Sequence, residues 1–179
     1  IMKVRVSIFP ILLILVSVGS AFSQDTVELR RLNLLKFRCQ EYYYDNFDSA
    51  KRITTAIIRI AQKEHWITEE LEAISNLCFC ADYHQEMQDY LTWVEKGRQL
   101  MKDRDSDLKS ADTEGVQRAS MIQAIGMYYY ALGDYTEAAD QFSLVVSPKG
   151  TPLTHDSSSI MYTGAYLGQA WFNMGNLDK

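Results

Sequence analysis

Proline is almost missing from this chain. Only Pro10, Pro148 and Pro152 occur in 179 residues, and two of them share one short segment, so long helices are allowed nearly everywhere else. Cysteine is also scarce. Cys39, Cys78 and Cys80 permit at most one disulfide, which excludes a disulfide-stapled scaffold. Cys78 and Cys80 would lie about 200° apart around a helix and cannot pair with each other. Either Cys39 pairs with one of them or all three are small packing residues. Basic charge is not in excess: 18 Lys and Arg stand against 23 Asp and Glu, a net charge of −5. A nucleic-acid footprint needs a basic patch, and attraction to an anionic bilayer needs a polybasic cluster; neither is present.

Chemistry-bearing patterns are missing too. His65, His84 and His155 are scattered, with no H-E-x-x-H and no C-x-x-C, so no metal or cofactor is expected. His84 falls at a helix end, where an imidazole favours the dipole. There is no G-x-S-x-G elbow, no G-x-G-x-x-G and no phosphate-cradling loop around Lys149-Gly150-Thr151. Glu69, Glu70 and Glu72 fit a favourable charge–dipole placement in a first helical turn rather than a catalytic pair. The chain therefore reads as a non-enzyme.

What is present is a leader followed by helices. Lys3 and Arg5 precede an apolar run over 6–18, and Ser20-Ala21-Phe22-Ser23 supplies small residues before Gln24. This is the layout of an export signal over 1–23, too short in its apolar part to span a bilayer. The mature segment, 24–179, is then one helical domain outside the cytoplasm, periplasmic or extracellular. Its period of 3.6 predicts about seven helices, near 26–44, 47–64, 68–83, 87–102, two within 113–146, and 157–174. Asp45-Asn46 marks the first bend, Thr68 is expected to cap the third helix with Ile67 stapling its entry, and 103–112 reads as a polar connector. In the fourth helix, Tyr90, Leu91 and Val94 are expected to point inward.

The organising stretch runs from Ile122 to Phe142. Gly126 and Tyr129 share a face of one helix, as do Ala138 and Phe142 on the next. The small residues Gly126 and Ala138 are expected to let the two backbones meet, with Tyr129, Tyr135 and Phe142 filling the space around them. Gly133 stands where a left-handed cap is needed, and Asp134 can cap the following helix. Gly168, Trp171, Met174, Gly175 and Leu177 repeat the spacing of Gly126, Tyr129, Leu132, Gly133 and Tyr135. Phe47 and Ala50 repeat that of Tyr135 and Ala138, while Arg38 and Cys78 occupy the places corresponding to Gly126.

In these residues the chain resembles the tetratricopeptide repeat (TPR) family. The resemblance implies an all-α solenoid of antiparallel helix pairs wound into a right-handed superhelix, with the first helix of each pair lining a concave groove. Carried onto this sequence, it puts Asn76, Phe79, Tyr83, Gln123, Met127, Tyr130, Tyr162, Tyr166, Gln169 and Asn173 in that groove. The basic clamp by which some members hold a free C-terminus is absent, since Gln123, Met127, Ala165 and Gln169 stand there. The implied function is non-catalytic binding of a peptide or protein on the concave face. An export signal before such repeats is similar to the sensor region of bacterial membrane-tethered histidine kinases and transcription regulators. The alternatives are an envelope-assembly scaffold and a glycan-binding protein of a nutrient-uptake system. Repeat arrays end in polar caps, and the last helix is expected to leave Leu167, Ala170, Trp171 and Met174 bare. The intact protein is therefore expected to continue beyond Lys179, where any membrane span would lie.

Overall fold

The computed structural model describes residues 27–147 and 150–175; the leader expected over 1–23 lies outside them, as does Leu177. The described residues are all-helical and contain no strand. α1 occupies 27–42. It is followed by α2 (Phe47–Lys63), α3 (Ile67–Tyr83), α4 (Met87–Asp103), α5 (Asp105–Ala111), α6 (Val116–Ala131), α7 (Tyr135–Val146) and α8 (Ser157–Asn173). No helix among them is long and apolar enough to cross a membrane.

One turn is built three times. Trp66 N–H donates to Ala61 O (2.8 Å) and His65 N–H to Gln62 O (3.4 Å) at the end of α2. Glu86 and Gln85 repeat this on Ala81 and Asp82, and Asp134 and Gly133 repeat it on Tyr129 and Tyr130. This is the Schellman pattern, in which a left-handed residue satisfies the last carbonyls of a helix. The left-handed positions are held by His65 (φ 60°), Gln85 (φ 61°) and Gly133 (φ 78°). The turn delivers the chain straight into the next helix at Ile67, so Trp66 is the N-cap and Thr68 is not; no side chain caps α3. Asp134 does cap α7, accepting from Glu137 N–H.

Packing follows from these tight turns. α3 lies against α2 and α4, and α7 against α6 and α8. α3, α6 and α8 also touch in succession, forming a row, with α4 reaching α6 behind it. α1 joins the row through Lys36, which pairs with Glu69 and Glu72 of α3. The principal core lies where α3 meets its neighbours and includes Leu32, Leu71, Leu77, Tyr90, Val94, Met121 and Ile125. A full burial of a leucine or isoleucine side chain contributes about 1.5–3 kcal/mol. A smaller core joins α7 and α8 through Ala138, Ala139, Phe142, Leu167 and Ala170.

Several local expectations are corrected. The segment 103–112 is not a mere connector: Leu108 is fully buried in the principal core, and that anchor holds α5 as an eighth helix. A Cβ on Gly126 would meet the Phe142 ring at 2.5 Å, so glycine here makes room for that ring. In α1 it is Cys39, not Arg38, that faces inward, with Sγ 3.0 Å from Thr54 Oγ1. The path from Cys39 to α2 (39 to 47) is one residue shorter than that from Gly126 to α7 (126 to 135), which moves the inward position by one. On α8, Leu167 and Ala170 are buried and Trp171 and Met174 pack around the smaller core, so the face expected to be bare is covered. The exposed side of α8 carries Met161, Phe172 and Gly168 instead; no atom lies near a Cβ built on Gly168.

Candidate ligand groove

The row α1, α3, α6 and α8 carries two adjoining cavities. The first, about 440 Å³, lies between α1, α2 and α3 and is lined in part by Lys36, Gln40, Tyr43, Tyr44, Glu72 and Asn76. The second, about 330 Å³, is lined by Tyr43, Tyr44, Phe79, Asp82, Tyr83, Gln123, Met127 and Tyr162. Tyr43 and Tyr44 border both, so the two adjoin and together make up the candidate groove. Helical spacing explains the composition of its middle wall. Asn76, Phe79 and Tyr83 are three and four apart on α3 and therefore share a face, and Gln123 and Met127 do the same on α6.

Aromatic contacts fix the groove's two sides. Tyr44 meets Tyr43 at 4.9 Å and Tyr83 at 5.1 Å between ring centroids, both edge-on. Edge-to-face pairs of this kind are favoured by the ring quadrupole. Tyr43 is held by its backbone: its carbonyl lies 3.0 Å from His84 Nε2 and accepts from Cys80 Sγ. His84 thus anchors the α1–α2 turn rather than only closing its own helix. On the opposite side Tyr162 packs on Tyr166 at 5.0 Å, their hydroxyls 3.3 Å apart. Tyr166 in turn meets Tyr130, whose hydroxyl accepts from Asn173 Nδ2 at 3.0 Å.

The electrostatics are simple. The hydrogen bond with Tyr162, followed by burial, pushes the Tyr166 phenol up to about 12. Burial raises Tyr43 well above the ordinary phenol range, with Cys80, Tyr44, Cys39 and Asp82 adding to it. Asp82 is half-buried and its carboxyl is raised by that burial. Lys36 is pulled down by burial, but its bonds to Glu69 and Glu72 outweigh this and leave it raised. The three cysteines are free and buried, and burial pushes Cys80 up to about 11. A thiol so far above neutrality carries no nucleophilic thiolate. No group of acids, histidines and cysteines able to hold a metal occurs among the described residues.

Of the residues expected in the groove, Phe79, Tyr83, Gln123, Met127 and Tyr162 come together in one cavity and Asn76 lines the next. Tyr130, Tyr166 and Asn173 form the hydrogen-bonded cluster beside Tyr162. Gln169 is exposed on α8. Gln123 differs from expectation: it is only 8% exposed, because its Oε1 accepts from buried Thr163 across the α6–α8 contact. Among the packing residues, Tyr129 is half-buried and accepts a hydrogen bond from Arg98 at 2.8 Å, Tyr135 packs on Tyr130, and Gly175 is left-handed at φ 74°. Sequence reasoning missed Lys36 and Gln40 and did not single out the paired Tyr43 and Tyr44. It also missed Asp82, although an acid three residues after Phe79 and beside Tyr83 was a readable signal. Comparison with family models, with curated proteins and with solved structures finds no match.

Proposed function

We propose that this chain is a non-catalytic binding module of the tetratricopeptide kind, a solenoid that holds an extended polypeptide along the row α1–α3–α6–α8. The observation that supports this reading is the pair of adjoining cavities, lined by aromatic rings and by amides from three helices. Tyrosines bury much area with few rotatable bonds, and the Gln40 and Asn76 amides can both donate to and accept from a peptide backbone. With the leader, the module is exported and forms the input portion of a larger signalling protein. The glycan-binding alternative has less support, since neither cavity of the groove is lined by Trp66, Trp93 or Trp171.

Peptide-display selection on the purified chain, followed by NMR mapping of an enriched sequence, tests the proposal. Shifts at Tyr83, Met127 and Tyr162, lost in Tyr83→Ala, support it. Enriched peptides that shift only α2, α4 or α7 would sink it, as would a selection with no enrichment.

A further inference from the structure

We infer that the cavity framed by Tyr43, Tyr44, Phe79, Asp82, Tyr83 and Tyr162 takes a cationic side chain, lysine or arginine, of the bound polypeptide. This rests on the groove reading above and gives it a ligand chemistry. The cavity has five aromatic residues and one carboxylate, and no Lys or Arg lines it. Aromatic faces are negative and attract a cation brought within about 6 Å, and the carboxylate supplies a full opposite charge. Among the described residues Asp82 has no ion-pair partner and its side chain makes no hydrogen bond.

Elsewhere the protein fills such positions from within. Lys96 sits 4.0 Å over the Trp93 ring, Arg98 5.1 Å over Tyr129 and Lys51 5.6 Å over Phe47. Those rings carry the chain's own cations, while among the described residues Tyr43, Tyr44, Phe79, Tyr83 and Tyr162 carry none. Lys36, which lines the adjoining cavity, is already neutralised by Glu69 and Glu72 and does not repel a guest. At about 330 Å³ the space lies at the low end of ligand cavities, roughly 300–1,000 Å³, which suits one side chain. The adjoining cavity, reached past Tyr43 and Tyr44, continues the path for the peptide that bears it. A chain of net charge −5 also favours the approach of a basic segment.

The test uses one peptide enriched on the whole chain, synthesised with lysine or with uncharged norleucine at its anchoring position. It is titrated by NMR against wild type, Asp82→Asn and Tyr83→Leu. The lysine peptide is expected to bind about tenfold more tightly than the norleucine peptide, the scale of one charge-assisted contact. Asp82→Asn abolishes that preference and Tyr83→Leu reduces it. Asp82→Asn is near-isosteric and removes no partner, so unchanged melting shows that the loss is local. Equal binding of both peptides in the groove overturns the cation assignment while leaving the groove reading intact. Loss of all groove binding by wild type defeats both. Tetramethylammonium bound as tightly as the lysine peptide overturns the polypeptide source.

Discussion

The hairpins α3/α4 and α6/α7 share a turn but not the residues that announce it. Both turns carry the same pair of crossed backbone hydrogen bonds around a left-handed centre, Gln85 in one and Gly133 in the other. On either side of that centre, seven residues before it and five after, the choices diverge further: Cys78 and Tyr90 stand in α3/α4 where Gly126 and Ala138 stand in α6/α7. In α6/α7 the large partner is Phe142, received by Gly126. In α3/α4 it is Tyr90, fully buried and donating its hydroxyl to Ala124 O of α6 at 2.8 Å. The same geometry is thus reached with the bulk moved from one position to another. A repeat signature records one way of filling the contact, not the contact itself.

The difference is tested most strongly at Phe142. Truncation to alanine empties a fully buried ring site and is expected to cost about 3–5 kcal/mol in denaturant unfolding. The complementary change, Gly126→Ala, forces a Cβ toward an immovable ring and should cost about 1–3 kcal/mol. Gly97→Ala is the control. Its Cβ meets the Sδ and Cε of Met121, but a methionine end can swing aside. Equal losses at Gly97 and Gly126 would contradict the claim that the rigidity of the partner decides the cost.

Next in size is Tyr90→Phe, which removes the hydroxyl that ties α4 to α6 and keeps the ring. The expected loss is about 1 kcal/mol, the net value of one buried hydrogen bond. The ring also packs edge-on against Tyr128 at 5.3 Å, so a loss near that of a full truncation would mean the hydroxyl orders the whole contact. Burial raises the Tyr90 phenol far above its ordinary range, and this tyrosine should remain un-ionised in an alkaline ultraviolet titration until the protein unfolds.

This comparison also explains what was legible beforehand. The helices were readable from their period because few prolines or glycines interrupt them, and α6/α7 was readable in detail because Gly126, Gly133 and Asp134 each relieve a specific local strain. His65 and Gln85 give no such signal, since a left-handed histidine or glutamine looks like any other polar residue. α5 was hidden for the opposite reason: Asp105-Ser106-Asp107 and Lys109-Ser110 are polar, and a single buried leucine decides the helix. The groove was half legible. Residues on α3, α6 and α8, Asp82 among them, follow from spacing within one helix, whereas Tyr43 and Tyr44 join it through contacts between helices that spacing cannot report.

The turns themselves give a smaller test. Gly133→Ala puts a Cβ on a left-handed residue and should destabilise by about 1 kcal/mol. Gln85→Gly relieves the same strain but loosens the unfolded chain, for a net gain of about 0.5 kcal/mol. Thermal melts of the two variants should therefore move in opposite directions. Movement in the same direction would show that the Gln85 side chain makes up for its backbone, and the two turns would no longer be equivalent.

The smallest effect lies at the helix starts. α3 and α4 begin without a side-chain cap, while α8 begins at Asp156, whose carboxylate accepts from Ser159 N–H at 2.8 Å and from the Ser158 hydroxyl. Hydrogen bonding from Ser159 first, then Ser158, lowers this carboxyl to about 2. A group whose folded pKa lies below its unfolded value stabilises the fold above the unfolded value, near 4, and loses that contribution as pH falls through the folded one. Amide exchange in the first turn of α8 should therefore quicken between about pH 4 and pH 2 relative to its last turn, and Asp156→Asn should flatten that dependence. The first turns of α3 and α4 have no such carboxylate cap and should show no matching step. A step there of equal size would mean that the hydrogen-bonded cap is not what sets the pH dependence of the first turn of α8.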